Sequence, residues 1–178
     1  MASHDLPHSD DERARYEQHN NDVENKGYQR FVQPIVEYIK THMEPDHSTG
    51  LDFGAGTGPV IAKLLREAGY TVNLYDPFFH PHDEYLNQSY DYIIACEVVE
   101  HFHRPKKEFA LLRKLLKSGG HLVLMTDLLP ADTAFQEWYY KNDETHVFFY
   151  HPDTFETIRS TFGFQSLSIH QRLVVLSI

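Results

Sequence analysis

Two near-continuous apolar runs, YDYIIAC (90–96) and HLVLMTD (121–127), flank an amphipathic segment, KKEFALLRKLL (106–116), that SGG stops. A strand that is apolar on both faces needs cover on both faces, which is the condition of a strand inside a parallel sheet wrapped by helices. The alternation continues in both directions. GLDF reads as a short strand and Pro59 to Ala68 as a helix with Val60, Ile61, Leu64 and Leu65 on one face. YTVNLYD (70–76) reads as the next strand, ending on an acid. Towards the C-terminus, PDTFETIRSTFGF gives a helix closed by Gly163, and FQSLSIHQRLVVLSI gives two strands with a tight turn near Gln171. The expected class is α/β: a doubly wound, mostly parallel sheet with an antiparallel C-terminal edge strand.

Ahead of the first strand, Tyr16 to Met43 carries a helical pattern, with Phe31, Ile35, Tyr38 and Ile39 at helical spacing and Pro34 as a bend or restart. Residues 1–14 are polar and acidic and read as a disordered or loosely attached tail. That leaves 15–178 as one domain, with 15–43 as a helical lid. A chain of 178 residues can bury one substantial core. The formal net charge of −10 disfavours a nucleic-acid partner. No apolar run approaches the roughly 20 residues of a membrane span, and MASHDLPHSDDERAR has no apolar stretch of a secretory signal. One cysteine, Cys96, forms no internal disulfide and fits a reducing cytoplasm, where it is expected as a small buried apolar group.

LDFGAGTGP (51–59) sets Gly54, Gly56 and Gly58 between the first strand and the helix after it. Ligands of doubly wound sheets sit beyond the carboxyl ends of the strands, and glycine there allows close backbone approach. The spacing is G-x-G-x-G, with Pro59 where a dinucleotide fingerprint carries its third glycine, which disfavours a nicotinamide dehydrogenase. Asp76 ends the next strand, about where an acid would hold ribose hydroxyls.

Taken together, LDFGAGTGP, Asp76, YDYIIACEVVEHF and LLKSGGHLVLMTDLL resemble the S-adenosylmethionine-dependent methyltransferases of Rossmann-like fold, over about residues 28–178. The resemblance implies S-adenosylmethionine as cofactor. Asp52, Gly54, Ala55, Gly56 and Gly58 would hold its methionine part, Asp76 its ribose hydroxyls, and Pro77 and Glu97 would lie beside it. One departure stands out: only PFFHPHDEYLNQSY separates Asp76 from Asp91, too short for the family's usual helix and third strand. An abbreviated sheet edge follows. Phe78 and Phe79 either pack on the adenine or belong to the core.

CEVVEHFHRP places Glu97, Glu100 and His101 at i, i+3 and i+4, which on a helical turn puts two carboxylates and an imidazole on one side. That is half of a divalent-metal site. The motif is similar to that of the quinone-biosynthesis O-methyltransferases and of the small-RNA 3′-end 2′-O-methyltransferases. By that similarity the metal ligands would be Glu97, Glu100, His101 and His146. Without a metal, His101 or His146 would act as general base and Glu97 would face the cofactor. His103 reads as a solvated helix-cap residue. Trp138, Tyr139, Tyr140, Phe148 and Tyr150 form either an apolar wall for a planar or lipid-like acceptor or ordinary core, and Tyr16, His19 and Tyr28 are lid candidates. The expected function is methyl transfer from S-adenosylmethionine to a small-molecule acceptor, at a hydroxyl. The alternatives are an RNA 2′-O-methyltransferase and a cofactor-binding protein without transferase activity.

Overall fold

β3 (Tyr90–Cys96) feeds two cores at once, because successive side chains leave a strand on opposite faces. Ile93 and Ala95 join Leu51, Leu122, Leu124, Phe109, Leu112 and Phe155 on one face. Tyr92 and Ile94 join Val72, Val123, Ile35, Ile39, Ile61 and Leu65 on the other. Both sets are almost fully removed from water, and each large aliphatic side chain so buried contributes about 1.5–3 kcal/mol. The computed structural model describes residues 6–18, 22–130 and 135–178.

The helices are α1 (Ser9–Glu17), α2 (Lys26–His42), α3 (Val60–Glu67), α4 (Pro105–Leu115) and α5 (Pro152–Phe162). The remaining strands are β1 (Thr49–Phe53), β2 (Thr71–Tyr75), β4 (Leu116–Met125), β5 (Ser166–His170) and β6 (Leu173–Ser177). They form one six-stranded sheet in the order β2-β1-β3-β4-β6-β5. β2, β1, β3 and β4 are parallel, and β6 runs antiparallel to both β4 and β5. The antiparallel strand is therefore β6, second from the rim, and β5 forms the edge itself. Chain direction across the sheet reverses between β1 and β3, which opens a crevice at their carboxyl ends. Among the described residues no helix is long and apolar enough to cross a membrane.

The shortened edge is as expected: β2 is terminal, and 76–89 hold an isolated Asp76–His80 bridge and a 3-10 turn, Asp83–Asn87. Gly163 ends α5 in the left-handed conformation (φ 70°), and Gln171 makes the β5–β6 turn with φ 54°. Other expectations are corrected. The helical residues described between Tyr16 and Met43 fall in two helices, α1 and α2: Asn25 caps α2 by accepting from the Gly27 and Tyr28 amides, so a new helix starts there. Pro34 does not interrupt α2; it sits on the exposed face, where water can reach the carbonyl left without a donor. The boundary drawn at residue 14 falls inside α1, which begins at Ser9. SGG does not separate α4 from a strand beginning at 121, since Leu116 already pairs with Tyr90 and Gly119 absorbs a register shift with φ 75°.

Gly50 shows how tightly β1 and β3 are fitted. A Cβ there would lie 2.0 Å from the buried Tyr92 ring. Gly50→Ala is therefore expected to destabilise the fold by about 2–3 kcal/mol. The measurement is a lowered urea midpoint at unchanged slope.

Candidate active site

The loop after β1 is pinned by main-chain bonds. The Gly54 and Ala55 amides both donate to the Tyr75 carbonyl at 2.8 and 3.1 Å. Gly54 and Gly56 have φ of 80° and 61°, which side-chain-bearing residues seldom adopt. Gly58 does not need the left-handed region. Asp76 ties this loop to the next: Oδ2 accepts from the Gly56 amide at 3.0 Å, and Oδ1 accepts from the Phe78 and Phe79 amides at 2.9 and 3.1 Å. Each carboxylate oxygen has two acceptor sites, so capacity remains for a ligand. Asp52 is buried on the helix side of β1. Burial pushes its carboxyl up to about 7, against the opposing pull of the Ala62 amide and Arg66.

A cavity of about 850 Å³ opens over these loops, beyond the carboxyl ends of β1, β2 and β3. Asp52, Gly54, Ala55, Gly56, Gly58, Asp76, Pro77 and Glu97 all line it. So do Phe78, Phe79, His101, Tyr140 and His146.

The second constellation is not a helical turn. Glu97 leaves β3 with φ 53°, a costly conformation for a residue with a side chain, held by its amide donating to the Met125 carbonyl at 2.7 Å. Val99–His101 then form a 3-10 turn. Arg172 Nη2 donates to both Glu97 oxygens, at 2.8 and 2.7 Å. Glu100 is fully buried. Its Oε1 accepts a short bond from the Tyr140 hydroxyl, and its Oε2 accepts from Thr126 Oγ1 at 3.1 Å. Burial, and then the neighbouring Glu97, push the Glu100 carboxyl up to about 8.

The segment carrying His146 is fastened to this turn, because the Val147 and Phe148 amides donate to the Glu100 carbonyl at 2.9 and 3.0 Å. His101 Nδ1 bonds the Thr145 carbonyl at 2.9 Å, and His146 Nδ1 bonds the Tyr140 carbonyl at 2.7 Å. A carbonyl only accepts, so both Nδ1 atoms carry the proton and the lone pair of each neutral ring lies on Nε2. Ligand atoms of Glu100, His101 and His146 lie within 4.8 Å of one another. Of the four expected metal ligands, the structure brings these three together and turns Glu97 towards Arg172.

Three residues of this network were not singled out from the sequence as polar partners: Arg172, Thr126 and Tyr140, the last expected as apolar wall or ordinary core. Arg172 follows the hairpin turn, and nothing local marks it. The N-terminal helix α1 is held by polar contacts. His103 Nε2 meets Glu12 Oε1 at 2.9 Å, and Arg15 donates to Asp143 at 3.0 Å through Nη2, so α1 is tied down at two points. His103 is thus a tether for α1, and the N-cap position of α4 falls to Arg104, which makes no side-chain capping bond. The Tyr16 ring stands 5.2 Å from His101 and 5.8 Å from Phe78, and Tyr28 lines the cavity from α2. His19 lies outside the described residues. The aromatic group divides. Tyr139 and Tyr140 line the cavity. Trp138 and Tyr150 are core, donating to Asp127 and to the Val99 carbonyl. Phe148 is partly exposed, away from the cavity. Cys96 is a half-buried free thiol whose titration burial pushes up.

A family model described as a methyltransferase domain matches residues 19–169. The chain belongs to the methyltransferase-domain family. Its resemblance to the Rossmann-like, S-adenosylmethionine-dependent class is borne out in the fold. This methyltransferase domain is 32% identical over 78 residues to a ubiquinone biosynthesis O-methyltransferase of Pectobacterium atrosepticum, a match covering 44% of this chain and 32% of that protein. The Vibrio atlanticus protein of the same name is 31% identical over 78 residues, 44% of this chain and 33% of its own. The matched stretch thus spans about a third of these curated relatives. Among solved structures, the domain is similar to an O-methyltransferase family protein from Burkholderia thailandensis, with TM-score 0.64 and 14% identity over 93% of this chain and 61% of that one. It is also similar to a SAM-dependent methyltransferase from Archaeoglobus fulgidus, with TM-score 0.61 and 20% identity over 79% and 71%. Both likenesses concern the fold.

Proposed function

We propose that this domain binds S-adenosylmethionine in the 850 Å³ cavity and transfers its methyl group to a hydroxyl of a small-molecule acceptor. The observation that carries the reading is that the glycine loop with Asp76 and the His101–His146 pair open on one cavity. The chemistry of the walls fits the cofactor. Asp52, Asp76 and Glu97 suit a sulfonium and a sugar diol, and Phe78 and Phe79 suit a flat purine. When bound, the cofactor supplies a methyl carbon on a positively charged sulfur. The chain's own task is to position the acceptor in line and to take its proton.

His101 and His146 serve that task because the Thr145 and Tyr140 carbonyls hold their protons on Nδ1. Each ring then presents Nε2 as base, in an orientation set by the backbone. The Tyr16 ring packs edge-on against His101 and the Tyr140 ring lies against His146, which helps to fix both imidazoles. A ring nitrogen from each histidine and the Glu100 carboxyl, once it releases its proton, fit a divalent cation, which would polarise the hydroxyl. A net charge of −10 supports a small-molecule acceptor over RNA, and the lone Cys96 supports a cytoplasmic setting.

The test pairs calorimetric titration of S-adenosylhomocysteine with turnover on a panel of phenols and catechols. His146→Ala should lower turnover about 100-fold, with product affinity changed by less than about threefold. Tight binding with no turnover on any acceptor would favour a non-catalytic cofactor-binding protein. Failure of the wild-type domain to bind S-adenosylhomocysteine would sink the whole reading.

A further inference from the structure

Glu97 stands at the rim of the cavity, yet its charge is already matched from within the chain. Arg172 Nη2 donates to both carboxylate oxygens, and the Tyr140 hydroxyl oxygen, whose proton goes to Glu100, lies 3.1 Å from Oε2. The guanidinium is held on every side. Phe31 and Tyr140 place their rings 5.4 and 5.5 Å from its central carbon, and Nη1 donates to the Tyr139 hydroxyl at 3.0 Å. Its backbone is fixed as well, because Gln171 turns the hairpin and the Arg172 carbonyl accepts from the Thr126 amide at 3.1 Å. Buried Nε has no acceptor among the described residues, a loss the fold tolerates while keeping Nη2 on Glu97.

We propose that Arg172 takes the place of a metal ion as the partner of Glu97, and so confines divalent-cation binding at this rim to Glu100, His101 and His146. The proposal rests on the metal-assisted version of the function above. A guanidinium cannot give up its proton under any ordinary condition, so the positive charge is permanent. A cation coordinated by Glu97 would have to displace Nη2 from the same oxygens and then sit beside that charge, in a half-buried setting that screens it poorly. Glu100 faces no cationic competitor among the described residues: its partners are two neutral hydroxyls, Tyr140 and Thr126, which can turn aside at far smaller electrostatic cost. The neighbouring imidazoles add two nitrogen ligands whose orientation is set by backbone carbonyls, the usual outer support of metal-binding histidines. Arg172 thereby determines the size of the ligand set without belonging to it.

The experiment is a Co²⁺ titration, read by visible absorption and calorimetry, on the wild-type domain, Glu97→Gln, Glu100→Gln and Arg172→Met. S-adenosylhomocysteine affinity is measured on the same samples, so that failure of the methyltransferase reading shows separately from failure of this one. Glu97→Gln should leave Co²⁺ affinity within about twofold, while Glu100→Gln weakens it at least about tenfold. Arg172→Met, which frees the Glu97 carboxylate, should tighten Co²⁺ about tenfold, and adding Glu97→Gln should cancel that gain. If Arg172→Met does not fold, the Glu97→Gln and Glu100→Gln pair still decides. Equal weakening in those two, no tightening in a folded Arg172→Met, or no Co²⁺ binding by any form would overturn the proposal.

Discussion

Gly54→Ala should lose S-adenosylhomocysteine affinity by at least about 100-fold, a cost of roughly 3 kcal/mol, and should melt earlier than the wild-type domain. Two effects act together. The residue sits at φ 80°, where an L side chain is strained by about 1–2 kcal/mol. A Cβ would also lie 2.5 Å from Val98 Cγ2 and 2.8 Å from Cγ1. Because the Gly54 amide is fixed on the Tyr75 carbonyl, the clash cannot be relieved without moving the loop that Gly56 and Asp76 share. Gly119→Ala is the control. It has a similar φ of 75° but open space around the added carbon, so it should cost only the strain, about 1 kcal/mol, and leave the ligand alone. Val98→Ala in the Gly54→Ala background should recover the steric part and not the strain. Equal effects of the two glycine substitutions would show that close packing at 54 is irrelevant to binding.

Asp52 should make stability depend on pH, with a sign set by its burial. Its carboxyl is pushed from 3.8 up to about 7, chiefly by removal from water. Between those values the folded chain holds a proton that the unfolded chain has released. The stability that Asp52 contributes is therefore fully present below about pH 4 and is lost as pH rises towards 7. About three pKa units correspond to a loss on the order of 4 kcal/mol. Asp52→Asn cannot ionise, so its stability relative to wild type should grow by that order between pH 4 and pH 8. Urea midpoints at the two pH values measure it. A constant difference would show that Asp52 is not the group that titrates.

Glu97 illustrates where reading from the chain alone runs out. The i, i+3, i+4 spacing of Glu97, Glu100 and His101 is real, but it implies a common side only if the backbone is helical. Here the first residue takes a left-handed conformation and the rest a 3-10 turn. Its amide is drawn to Met125 on the neighbouring strand and its carboxylate to a guanidinium 75 positions away. The same holds for α1, whose polar sequence offers no apolar stripe. It is ordered by His103 and Asp143, which lie 91 and 128 positions from their partners. Pairings of that kind depend on where other elements come to rest, and no window of neighbouring residues contains them.

What the sequence determined by itself was the sheet and its ligand end. Apolar strands alternating with one-sided helices admit few arrangements that cover both faces, and a glycine cluster at a strand end requires a turn that side chains would obstruct. Even the missing strand was legible, because fourteen residues between Asp76 and Asp91 cannot make a helix and a strand. The tertiary structure alone decided the partners of the charges: Arg172 for Glu97, Tyr140 and Thr126 for Glu100, and two backbone carbonyls for the histidines. Apolar periodicity repeats along the chain and can be read locally. A buried charge, by contrast, is satisfied by whichever group the finished fold brings within about 3 Å of it.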